Sequence, residues 1–216
     1  MAFLDFFAKK EPQKYGEVND FSDGDFCLKL ISENYGVENP DRYEIFEKVL
    51  NKSKQYSDPL HILACAYACH YSRAELRMDA ISYFEKYLEN PVPCKNPLFN
   101  ISHVYRDLGK DYEAEYNFNS AEKCYKNAIL KNGYRNHVHP ISKHPSLSPE
   151  EVMLGRLYLK VGTQKAVEYW ESFTCLDVYR SDDQFRRRVD IEYKNATEKH
   201  AKGYVYKPRK NNKENK

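Results

Sequence analysis

Apolar and small side chains recur at helical spacing over most of the chain, and the clearest run lies between Asp58 and Pro91. Asp58 offers a carboxylate to the free N–H groups of a first turn. Pro59 suits the first helical position, where a missing N–H costs nothing. From there Leu60, Ala64, Tyr67, Ala68 and Tyr71 form one stripe, so the spacing predicts a helix able to press closely on a neighbour. Polar residues from Ser72 to Asp79 interrupt the pattern. Ala80, Phe84, Tyr87 and Leu88 then predict a second helix, stopped by Glu89-Asn90-Pro91. Two short helices with small residues at their crossing make an antiparallel hairpin.

The design recurs downstream. Asn96-Pro97 again reads as a cap followed by proline. It predicts a helix carrying Leu98, Ile101, Ser102, Tyr105 and Leu108, paired with one carrying Ala121, Tyr125 and Ala128. Aligned on Tyr105, this hairpin is about two helical turns longer than the first, and its extra segment, Lys110 to Ser120 with Tyr112, Tyr116 and Phe118, is expected to protrude, its aromatic residues either forming a contact surface or packing locally. A third start at Ser148-Pro149-Glu150-Glu151 has the form of a capping box. It leads into Leu154, Gly155, Tyr158, Gly162, Ala166, Trp170 and Phe173. After Asp182, Phe185, Val189, Tyr193 and Ala196 predict a charged helix suited to closing a helical stack.

Upstream, Asp20 to Asp25 reads as a turn and helix cap. Phe26, Leu28, Leu30 and Ile31 predict a helix up to Asn34, and Tyr43, Ile45, Phe46, Val49 and Leu50 a helix opened by Asn39-Pro40-Asp41. Phe3, Leu4, Phe6, Phe7 and Ala8 read as an N-terminal arm.

The hairpin pattern resembles the tetratricopeptide repeat, which alternates small and aromatic residues along a helix-turn-helix of about 34 residues. Ala68, Tyr71, Ala80 and Phe84 match its landmarks in the first hairpin, with Tyr87 where the family usually has alanine. Ser102, Tyr105, Ala121, Tyr125 and Ala128 match in the second, and Leu154, Gly155, Tyr158, Gly162 and Ala166 in the third. The resemblance covers about residues 40 to 178 and implies an all-α fold of stacked antiparallel hairpins, an irregular α-solenoid. The expected organisation is an N-terminal arm and helix over 1–40, a repeat domain over 41–202 that includes the closing helix, and a basic tail over 203–216.

In that family the first helix of each repeat lines a concave groove. By position the resemblance places Cys69, Ser72 and Arg73, then Phe99, His103, Arg106 and Asp107, then Arg156 and Lys160 along it. The implied partner-binding residues are Arg73, His103, Arg106, Arg156 and Lys160, and their charge makes the groove basic. Guanidinium forks suit carboxylates, so the implied function is a protein-interaction adaptor or scaffold holding an acidic peptide or partner protein. The asparagine-lysine clamp of chaperone-binding members is not reproduced.

Composition agrees with a folded chain: 41% of the 216 residues are apolar and 31% charged. The formal net charge of +2 conceals an asymmetry. Residues 186–216 hold 11 Lys/Arg against 4 Asp/Glu, leaving 23 against 28 in the rest. Arg186, Arg187, Arg188, Lys207, Arg209 and Lys210 therefore carry an alternative reading, nucleic-acid association by phosphate neutralisation. No apolar run approaches the ~20 residues of a membrane span. Six scattered cysteines without a secretory signal read as reduced thiols of a cytoplasmic protein.

Chemistry beyond binding finds little footing. His137, His139 and His144 have the residue types of a metal site but lie in a proline-containing loop that reads as solvated. His61, Cys65 and Cys69 share a helix face better explained by packing. No nucleophile elbow, phosphate-cradling glycine loop or zinc-protease motif occurs. The expectation is a protein that is not an enzyme and takes no cofactor.

Overall fold

A computed structural model describes residues 20–36, 41–133, 137–138 and 143–207. The arm at Phe3 to Ala8, His139, Arg209 and Lys210 lie outside them. The described chain is all-helical, in the order α1 (Gly24–Asn34), α2 (Arg42–Ser53), α3 (Pro59–His70), α4 (Arg77–Glu89), α5 (Ile101–Ala114), α6 (Phe118–Lys131), α7 (Pro149–Val161), α8 (Thr163–Thr174), α9 (Asp177–Ser181) and α10 (Asp183–Ala201). Each helix from α3 to α8 packs on the next in sequence. The first two both lie against α3, and α10 packs mainly on α8.

Helix starts follow local capping chemistry. The Asp58 side chain accepts from the His61 N–H with Pro59 in the first turn, and Ser148 and Glu151 form the reciprocal capping box at α7. Asp23 caps α1. That helix approaches α3 so closely that a Cβ on Gly24 would stand 2.5 Å from the Leu60 Cβ. Cys27, Leu28, Leu30 and Ile31 join the same buried cluster as the α3–α4 hairpin, so α1 is part of the helical body.

The second hairpin departs from expectation. Asn96 and Pro97 open only one 3-10 turn, Pro97–Phe99. A second cap, Asn100, then accepts from the His103 N–H and starts α5 at Ile101. With this later start, Tyr105 is not the counterpart of Tyr71. The counterparts are Leu108, Gly109 and Tyr112: a Cβ on Gly109 would meet the Tyr125 ring at 2.7 Å, just as one on Gly155 would meet the Trp170 ring at 2.3 Å. Gly109 thus faces Tyr125 as Gly155 faces Trp170. In this register there is no insertion: α5 and α6 have 14 residues each, close to the 12 and 13 of α3 and α4. Of the three aromatic residues expected to protrude, Tyr116 is exposed, at 43%, and the other two are not. Tyr112 is half-buried and its hydroxyl donates to Glu85, while Phe118 is half-buried at the start of α6.

The turn between α5 and α6 is a Schellman ending. Tyr116 adopts φ 60°, its N–H bonds the Glu113 carbonyl, and the Asn117 N–H bonds the Tyr112 carbonyl. The α8–α10 junction holds a short helix, α9, that the apolar pattern did not announce. Buried side chains form two clusters, one over α1–α4 with Phe99, Val104 and Leu108, the other over α6–α10. Between them α5 turns a buried polar edge, Asp107 and Asp111, toward its neighbours.

Candidate partner-binding cleft

The first helices of the three hairpins are tied to one another by polar side chains. His70 Nδ1 lies 2.8 Å from Asp111 Oδ2, joining α3 to α5. Arg106 Nη1 lies 3.7 Å from Glu150 Oε1, and Lys160 Nζ bonds Glu113 Oε1, both joining α5 to α7.

These pairs alter the face expected to be a basic groove. Arg106 makes a two-pronged contact with Asp107, Nε and Nη2 each 3.1 Å from a carboxylate oxygen, and Lys110 Nζ adds a 2.7 Å bond to the same group. Burial raises the Asp107 pKa, but Lys110 and Arg106 outweigh it and hold this carboxyl below its ordinary value. One turn on, burial of Asp111 wins over His70, and its pKa is raised. Arg106 is therefore a structural cation between two carboxylates, and no free fork remains there for a ligand.

Three more of the positions assigned to the groove are interior. Cys69, Phe99 and Asp107 are each 1% exposed; Phe99 packs on Tyr67 with ring centres 4.4 Å apart, and burial pushes the Cys69 thiol up to about 12. The Ser72 hydroxyl bonds the Ala68 carbonyl. His103 is committed near the α5 cap, Nδ1 lying 3.0 Å from the Leu98 carbonyl oxygen. Arg73 is exposed before the 3-10 turn that leads into α4, on a different hairpin from Arg156 and Lys160.

The structure does bring Arg156 and Lys160 together. One turn apart on α7, they line a cleft of about 420 Å³ against Ile191, Glu192, Asn195 and Lys199 of α10. Arg156 donates from Nη2 and Nε to Glu192 Oε1, at 2.6 and 3.2 Å, yet its side chain remains 64% exposed. The lining sets Lys160, Arg156 and Lys199 beside the carboxylate of Glu192, and Glu113, outside the lining, pairs with Lys160. Tyr204 and Tyr206, just beyond α10, complete the wall. Sequence spacing could not reveal this half of the site, because it depends on where α10 and the following turn fold back.

Of the alternative, nucleic-acid residues, Arg186 pairs with Asp183, and Arg188 Nη1 is 3.4 Å from the Ser146 hydroxyl. Arg187 and Lys207 are exposed. Successive arginines point in different directions around α10, so they present no single basic face.

The histidine loop is less solvated than expected at its start. The His137 ring sits 5.6 Å from Phe173 and 5.3 Å from Phe185, with Nδ1 3.2 Å from Glu151. His61 is buried, bonded to Asp58 and to the Phe21 carbonyl. Among the described residues no group of three metal-ligating side chains converges, and no helix is long and apolar enough to cross a membrane. No protein-family model, curated protein or solved structure matches the chain.

Proposed function

We propose that the protein is a non-catalytic interaction module, a stack of tetratricopeptide-like hairpins that holds an extended acidic segment of a partner protein in the α7–α10 cleft. The observation that carries this reading is the convergence of Arg156, Lys160 and Lys199 on one cleft, three cations against the two carboxylates that pair there, Glu192 with Arg156 and Glu113 with Lys160. An incoming carboxylate is matched there by charge, and the Arg156 donors left over from Glu192 give it direction. The two walls that carry the cations are helices already fixed by packing on α8, so little ordering entropy is lost there on binding. The binding residues are Arg156, Lys160 and Lys199; Arg106 and His103 position helices, and Arg73 lies apart.

The test is fluorescence anisotropy with a labelled eight-residue peptide of alternating glutamate and tyrosine with a free carboxylate. The full chain is expected to bind it with micromolar affinity, and Arg156→Ala with Lys160→Ala to weaken binding at least tenfold. Equal binding by that double variant overturns the reading. A labelled single-stranded oligonucleotide runs in parallel. Binding of it that is lost with Arg187→Ala and Arg188→Ala, but kept in the cleft variant, moves the function to nucleic-acid association.

A further inference from the structure

The segment after α10 does not leave the body. Gly203, with φ 62°, ends the helix in a Schellman motif: its N–H bonds the His200 carbonyl and the Tyr204 N–H bonds the Lys199 carbonyl, each at 2.9 Å. Only a residue at ease in the left-handed region turns the chain this way without strain. The turn carries Tyr204 to Lys207 back across the cleft. Lys199 Nζ stands 5.1 Å from the Tyr204 ring centre and Lys160 Nζ 5.3 Å from that of Tyr206, both within cation–π range. The Tyr206 ring also meets Phe118 of α6 edge-on, 6.1 Å between centres. Tyr206 is half-buried while Tyr204, Val205 and Lys207 are exposed. One aromatic ring of an otherwise solvated, extended segment is thus seated on the same lysine that lines the cleft.

We infer that Tyr204 to Lys207 is a tethered pseudo-ligand: it fills the aromatic subsite between Lys160 and Phe118, a partner segment must place its own aromatic ring there, and it must displace the tail to do so. This rests on the cleft being the partner site. It adds a regulatory step and a second recognition element to the acidic one, a tyrosine or phenylalanine side chain at the place of Tyr206. A tether this short holds the tail at an effective concentration on the order of millimolar, so even a tail affinity of about 100 μM raises the apparent Kd of a competitor roughly tenfold.

The experiment uses the full chain and two substitutions that act differently: Tyr206→Ser removes the seated ring, and Gly203→Val spoils the turn that brings the tail to the cleft while leaving the α7 and α10 lining residues unchanged. Two labelled probes are titrated, the glutamate–tyrosine peptide and a synthetic peptide with the sequence of residues 203–216. Both variants are expected to bind both probes about tenfold more tightly than the unaltered chain, and a tail peptide with serine in place of its second tyrosine is expected to lose this binding. Equal affinity of the tail peptide for all three proteins, or no binding to any, overturns the inference. If the tail peptide shows the gain while the glutamate–tyrosine peptide binds none of them, the strap stands and the acidic-partner reading falls. If the glutamate–tyrosine peptide binds all three alike and needs Arg156 and Lys160, the cleft stands and the strap falls.

Discussion

Arg106 and Glu150 lie 3.7 Å apart across the junction of α5 and α7, and the carboxylate is 1% exposed. Glu150 Oε1 has no hydrogen-bond partner, while Oε2 accepts from Asn132 Nδ2, so this guanidinium is the cation that offsets its charge. The same group bridges both oxygens of buried Asp107. Arg106→Ala leaves two buried carboxylates short of positive charge, and the expected cost is about 3–5 kcal/mol. Urea denaturation measures it. A loss under about 1 kcal/mol would show that Arg106 is the surface cation its position in the repeat pattern implies. Substituting all groove cations at once would therefore confound loss of binding with loss of fold, which is why Arg156 and Lys160 alone test the cleft.

Glycines at helix crossings give a graded prediction. A Cβ on Gly155 would stand 2.3 Å from a carbon of the fully buried Trp170 ring. Alanine gains about 1 kcal/mol in helix propensity over glycine, but overpacking costs about 1–3 kcal/mol. Gly155→Ala is expected to destabilise by up to about 2 kcal/mol, whereas Gly162→Ala, with nothing within 4 Å of the added Cβ, is expected to change stability by less than about 0.5 kcal/mol. Thermal denaturation of the pair distinguishes crowding from a general intolerance of alanine.

How much of this was legible follows from what kind of information each feature needs. Asp58-Pro59 and Ser148 with Glu151 announce their helices because capping is local chemistry. The third hairpin was readable in full, since Gly155 and Trp170 sit in a regular small-and-aromatic pattern. The second was misaligned because Asn96-Pro97 resembles a helix start and diverted the register to Tyr105. Leu108, Gly109 and Tyr112 were in plain view, and asking which small residue would face Tyr125 would have found them. The pairing of the groove cations was not legible for a different reason. A sequence shows how many arginines a face carries, but pairing with Asp107, Glu150, Glu113 and Glu192 depends on where the neighbouring helices stand.

Tyr116 closes α5 in the left-handed region, at φ 60°. A side chain with a Cβ is strained there by about 1 kcal/mol, and glycine is not. Tyr116→Gly is expected to raise stability by about 0.5 kcal/mol after loss of the edge contact with Phe118. Chemical denaturation checks the sign, and a clear loss would show that the ring contributes more than the turn strains.

Acid sensitivity should centre on Glu122. Burial raises its pKa, but hydrogen bonds from Lys126, Lys165 and Tyr158 outweigh that and bring it from 4.5 to about 2. A carboxyl depressed in the folded state stabilises fully above its unfolded value and loses that contribution as pH falls through the folded one. Stability is therefore expected to decline between about pH 4.5 and 2. Glu122→Gln should flatten part of that decline and lower stability at pH 7 by about 1–2 kcal/mol. Denaturation curves taken across this range compare the two proteins, and an unchanged slope would contradict the assignment.

The location of the bound segment is the most direct question. Hydrogen exchange of the full chain, with and without saturating glutamate–tyrosine peptide, reads it from the backbone. The cleft predicts slowed exchange in the part of α7 around Arg156 to Lys160 and in α10 around Ile191 to Lys199, with faster exchange at Tyr204 to Lys207 as the tail is displaced. Protection confined to α3 and α5 around Arg73 and His103, or no protection in α7 and α10, would contradict it.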